Sequence, residues 1–206
     1  MPTEPIIGVV LANELLDNLA PRVVRRSGDG WNECHVDDGA RRWVPCEAPP
    51  DPVPSGAPFD GNDVPWCAQA REWTEQALAL VERGRILVVD YGVQRSAELA
   101  GRGWLRTYRD HLRGADPLAE PGAYDITFDV PFDQLAPGAA ISSQRDFLRQ
   151  WGIDALVDEG KAVWAERAHL GDLAAVRARS RVSEAEALLD PSGLGSFLVA
   201  EWTIGS

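Results

Sequence analysis

The segment IIGVVLANELLD, residues 6–17, ends a run of branched apolar side chains on Asn13, Glu14 and Asp17. An amide and two carboxylates accept hydrogen bonds and hold cations, so this spacing could grip a polar or positively charged ligand at the end of a dry segment. A second apolar run, RILVVDYG at residues 85–92, delivers Asp90 and Tyr91 in the same way. Helix capping is the alternative role for Asp17, and holding a turn is the alternative for Asp90. His35, His111 and His169 are far apart in the chain. His111, in the charged stretch RTYRDH, is the substrate-side candidate among them, with a solvated surface histidine as the alternative.

The elements that must position these groups follow from the pattern around them. Both apolar runs are continuous and β-branched, which suits parallel strands covered on both faces. Between them, REWTEQALALVERG (71–84) places Trp73, Ala77, Leu80 and Val81 at helical spacing, with Gly84 as a stop. Strand, helix, strand predicts a right-handed βαβ unit. Polar residues at the carboxyl ends of its two strands would then share one rim, where open α/β sheets bind ligands. Val23-Val24, WNECHV and RRWVP, separated by SGDG and DDG, predict a small antiparallel meander. APPDPVPSGAPFDGNDVP, residues 48–65, reads as an irregular surface loop closing that insertion, with a disordered linker as the alternative.

Beyond Gly92, YDITFDV alternates like a strand. QRDFLRQWG, IDALVDEGKAVWAERAHLGD and LAAVRARSRVSEAEALLD read as helices, and SFLVAEW as a closing strand. The expectation is one α/β domain over residues 1–206. Its βαβ core would occupy 5–92 with the meander at 21–65, and a substrate-side region of helices and a closing strand would occupy 93–206.

The totals narrow the chemistry. A net charge of −12 argues against a nucleic-acid surface, which needs a basic face. Three cysteines, Cys34, Cys46 and Cys67, have no C-x-x-C spacing, so reduced thiols in a cytoplasmic protein are expected and no metal site is. No apolar run approaches membrane-spanning length. GRG at 101–103 follows no strong strand, and GLG at 193–195 precedes a strand rather than a helix, so neither has the setting of a phosphate cradle. No G-x-S-x-G elbow occurs.

ANELLDNL, DYG, WLRTYRDH, PGAYDIT, SQRDFLRQWGI and LLDPSGLGSF occur in this order and resemble the MidA family of S-adenosylmethionine-dependent methyltransferases. The resemblance runs from about residue 5 to the C-terminus. It implies a class I, Rossmann-like sheet, here partial, with an added substrate region. It implies S-adenosylmethionine as methyl donor and an arginine-bearing protein as acceptor, with no metal. Asn13 and Glu14 would lie beside the donor, Glu14, Asp17 and Asp90 would be catalytic carboxylates, and Tyr91, His111 and Asp125 would face the substrate. The family's donor-binding glycine loop would precede residue 1, so the resemblance implies the C-terminal half of such an enzyme. A truncated product, a fragment or half of a split enzyme would each fit, with a separate N-terminal half or self-association completing the sheet. A non-catalytic binding or assembly module, or methyl transfer to a small molecule, are the alternatives.

Overall fold

The computed structural model describes residues 4–47, 61–110, 112–114 and 116–205. Ile6–Asn13 forms β1, as its β-branched content favours. Arg22–Ser27 (β2), Gly30–Asp37 (β3) and Ala40–Pro45 (β4) form the expected meander, each pair antiparallel. The β3–β4 turn carries Asp38 and Gly39 at φ of +48° and +72°, the positive values that match the twist of a tight hairpin.

Asp63–Trp66 (β5) corrects the expectation of loop up to Pro65. It pairs with β2, placing Val64 against Val24, and both are wholly buried. Most of the rest of that loop, 48–60, lies outside the described residues.

Ala68–Leu80 (α1) leads directly into Val81–Asp90 (β6), so Gly84 does not stop the helix. It sits inside the strand instead, where a Cβ would come within 1.8 Å of the Gly8 carbonyl oxygen. Glycine is what lets β6 approach β1 there. The two strands pair in parallel, with Asn13 opposite Val89.

Shorter elements complete the first compact unit, residues 1–140 and 200–206. They are Gly92–Val93 (β7), Leu105–Arg109 (β8), Leu112–Arg113 (β9), Asp125–Phe128 (β10) and Val130–Pro131 (β11). β8 pairs antiparallel with β10 and with β9, and β7 pairs in parallel with β11.

The second unit, residues 141–199, takes in most of Ala140–Ser143 (β12) and three helices. These are Gln144–Gln150 (α2), Ile153–Arg167 (α3) and Leu173–Leu189 (α4). Ser143 caps α2 and Asp172 caps α4, each side chain accepting a backbone N–H of the first turn. Leu198–Ile204 (β13) begins in this unit, and its residues from Ala200 onward belong to the first, where β6 lies between β1 and β13.

β1 is the outermost strand of that order, and it is not covered on both faces. Ile7, Val9 and Leu11 are 64%, 60% and 64% exposed, while Ala12 on the opposite face is buried. The corresponding face of β6 holds Ile86, Val88 and Asp90, all wholly buried. The core of this sheet therefore lies on one side only. The architecture is a mixed α/β fold.

Candidate active site

Parallel strands end together, and the ends of β1 and β6 gather the polar groups. Glu14 turns the chain just after β1 with φ of +48°, in the left-handed region. For a residue other than glycine this costs about 1–3 kcal/mol and persists only where the surroundings over-determine it. Here the Glu14 N–H donates to the Val89 carbonyl at 2.9 Å, and the Asn18 amide donates to the Glu14 carbonyl at 3.2 Å. The Glu14 carboxylate itself is exposed and receives one long bond, 3.3 Å, from the Asn13 amide.

Asp17 is different. It sits in a short 3-10 turn, Leu16–Asn18, and is buried. One of its oxygens accepts from the Tyr91 hydroxyl and, at 2.7 Å, from the Thr127 hydroxyl. The other accepts from the Asn18 amide at 2.7 Å. The carboxylate therefore ties the end of β1 to the end of β6 and to β10. It caps no helix.

Asp90 is wholly buried, with one oxygen accepting from the Leu16 and Asp17 N–H groups at 2.9 and 3.3 Å. Its other oxygen accepts the Tyr91 N–H at 3.0 Å. Burial, and next the charge of Asp17, push its pKa up to about 7, with the three N–H donors pulling the other way. The Tyr91 hydroxyl is also pushed up, first by burial and then by its bond to Asp17, so it stays a proton donor at neutral pH.

Thr127 and Arg106 belong to this cluster although the sequence did not single them out. They face each other across the β8–β10 pair. The Arg106 guanidinium lies 4.9 Å from the Tyr91 ring centroid and pairs with Asp129 at 2.8 Å, while its buried Nε has no hydrogen-bond partner. The alternation of YDITF carried a signal for Thr127, because it shares a strand face with Asp125. Asp125 itself is exposed at the start of β10. His111 lies outside the described residues. The rim thus brings together Asn13, Glu14, Asp17, Asp90 and Tyr91, with Thr127 and Asp17 linking it to the strand that carries Asp125.

Among the described residues no glycine turn leads from a strand into a long helix. The glycines with the tightest surroundings serve the fold: a Cβ on Gly92 would meet the Val130 carbonyl at 2.0 Å, as that on Gly84 would meet Gly8. Carboxylates and an amide suit a cationic acceptor. They do not reproduce a backbone N–H cradle for a nucleoside donor.

The family model for a putative S-adenosyl-L-methionine-dependent methyltransferase matches residues 1–149. The chain belongs to this methyltransferase family, in keeping with its MidA-like motifs. It is 30% identical over 165 residues to the protein arginine methyltransferase NDUFAF7 homolog, mitochondrial, of Caenorhabditis elegans, covering 71% of this chain and 38% of that one. It is 29% identical over 164 residues to the mitochondrial protein arginine methyltransferase NDUFAF7 of Danio rerio, with 71% and 37% covered. A Burkholderia thailandensis COG1565 superfamily member and likely methyl transferase, solved with S-adenosyl-homocysteine, superposes with a TM-score of 0.73 at 25% identity, over 98% of this chain and 55% of that one. A native structure of an uncharacterized COG1565 superfamily protein from the same organism gives 0.76 at 26% identity, over 100% and 57%. The chain thus spans under two-fifths of the length of these curated relatives.

Proposed function

We propose that this chain carries the acceptor side of an S-adenosylmethionine-dependent methyltransferase acting on a protein arginine. The observation that carries the reading is Glu14, a carboxylate held in a left-handed turn at the strand rim and left open to solvent. A carboxylate so placed can receive two parallel N–H bonds from a planar guanidinium and fix its orientation. Asn13 would steer the Glu14 carboxylate, and Asp125 on β10 would add a second anionic contact for a cationic segment. Asp17 and Asp90 would act as positioning groups, because their oxygens are already engaged by side chains and backbone of the turn. The donor would supply an electrophilic methyl group. Alignment of the acceptor would be this chain's contribution to the rate. The names of the two curated relatives support the substrate class, and the S-adenosyl-homocysteine bound in the Burkholderia structure supports the donor. The Rossmann-like arrangement of the complete sheet is part of the same proposal.

A second reading, a binding or assembly module derived from such an enzyme, draws on the lack of a glycine cradle among the described residues. The test is a fusion with the part of the Burkholderia protein that this chain does not match. Given labelled donor and arginine-containing protein, the fusion should methylate arginine. Glu14→Gln should lower turnover by about 10- to 150-fold, the loss of one charge-assisted pair worth about 1.5–3 kcal/mol, with donor affinity unchanged. Full turnover in Glu14→Gln with every acceptor removes Glu14 from the site. Donor binding without any transfer favours the binding module.

A further inference from the structure

In the second unit, α3 and α4 form a hairpin whose close approach is set by Gly160. A Cβ there would lie 3.1 Å from Val182 and 3.2 Å from the Ala178 carbonyl. The hairpin holds a groove of about 220 Å³, floored by Gly160, Val163, Ala174 and Ala178. Its walls carry Arg177 and Arg181 on α4 and Glu159 on α3.

The two arginines are one helical turn apart on one face, an arrangement that opposes helix stability by a few tenths of a kcal/mol. Elsewhere in this acidic chain, Arg22, Arg25, Arg85, Arg106 and Arg167 each have a carboxylate partner. Among the described residues Arg177 and Arg181 have no carboxylate within 4.0 Å, although Glu159 lines the same groove. Leu156, 58% exposed, lies one turn before Gly160 on α3. A small-residue floor flanked by the exposed Leu156 and by two arginines on one wall fits an amphipathic helix with apolar residues on one stripe and acids along its edge.

We infer that the α3–α4 groove, with Arg177 and Arg181 on its wall, docks an acidic amphipathic helix of a partner protein. Apolar side chains of that helix would fill the space over Gly160, Ala174 and Ala178, and two of its carboxylates a turn apart would pair with the arginines. Charge complementarity selects this occupant, because the groove is lined by two arginines, Arg177 and Arg181, against one carboxylate, Glu159, in a chain of net charge −12. The inference is independent of methyl transfer and of the rim at Glu14.

The test uses the whole 206-residue chain and three synthetic 16-residue helical peptides that share one leucine stripe. One carries glutamates at the stripe's edge, the second glutamines and the third lysines. In a ¹H–¹⁵N titration the acidic peptide should shift amides of residues 159–163 and 174–181. It should bind at least tenfold more tightly than the glutamine form, and the lysine form should not bind. Arg177→Gln with Arg181→Gln, both exposed changes that leave the hairpin packing alone, should abolish that preference, as should high salt. Equal binding of the three peptides, binding that survives the double substitution, or no binding of the acidic peptide at millimolar concentration would overturn the proposal.

Discussion

Asp17 and Thr127, separated by 110 positions, are joined by a 2.7 Å hydrogen bond, and the Tyr91 hydroxyl closes on the same carboxylate oxygen. One buried anion thus couples three elements: the turn after β1, the end of β6 and the strand β10. A buried carboxylate that loses a donor retains its desolvation penalty.

The first prediction follows from that coupling. Thr127→Val and Tyr91→Phe should each destabilise the chain by roughly 1–3 kcal/mol, and the double variant by less than the sum, because both donors serve one oxygen. Urea unfolding of the four species measures the cycle. Full additivity would mean that the two hydroxyls do not share Asp17.

The second concerns pH. Asp90 has a folded-state pKa of about 7, raised above its unfolded value, so the native state holds a proton that the unfolded state has released. Its contribution is therefore most favourable below about pH 4 and is lost as pH rises through 7. Asp90→Asn removes this titration. The stability difference between wild type and Asp90→Asn should shift against the wild type between pH 4 and pH 7, by up to ~4 kcal/mol. A pH-independent difference would show that Asp90 is ionised throughout.

The third separates strain from function at Glu14. Glycine adopts a φ of +48° without a Cβ penalty, so Glu14→Gly should stabilise the chain, by about 1 kcal/mol. Glu14→Gln keeps the Cβ and should leave stability within about 0.5 kcal/mol. In the fusion with the unmatched part of the Burkholderia protein both should lose turnover. Thermal melts paired with methyl-transfer assays read the two effects, and a destabilised Glu14→Gly would show that the side chain supports the turn.

Much of this was legible in the sequence, for local reasons. IIGVVLA and RILVVDYG announced β1 and β6 through branching alone, and their shared rim followed from parallel pairing. The meander showed itself through Asp38-Gly39, whose backbone demands a tight turn. What the sequence hid was tertiary. Gly84 has the look of a helix stop, because a pattern cannot reveal that Gly8 lies opposite it. The strand at Asp63–Trp66 was masked by Pro65, which pairs only because β5 lies at the edge of its sheet. Arg106 had no local signature, and the alternation of YDITF put Thr127 on the face of Asp125 without showing its partners, since the importance of both comes from Tyr91 and Asp17, far away in the chain. An apolar run also does not say how many of its faces are covered, and β1 has one face bare.

That bare face yields the last prediction. β1 is the outer strand of its sheet order, and Ile7, Val9 and Leu11 stand on it at 60% exposure or more. An unpaired strand edge beside exposed aliphatic side chains is a template for association with another chain. The 206-residue chain should therefore self-associate on warming, seen as rising light scattering before or during its thermal transition. Val9→Lys places a charge in the middle of the patch and should suppress that scattering without loss of the β1–β6 pairing. The chain should also bind S-adenosylmethionine very weakly or not at all, because no described glycine turn aims backbone N–H groups at a donor. Calorimetric titration checks this, and tight stoichiometric binding would show that the chain holds the donor without a glycine cradle. Supplying the part of the Burkholderia protein that the chain does not match should restore donor binding and monodispersity together. If one returns without the other, the surface beside β1 and the donor site are separate, and the cover of the sheet is not what completes the site.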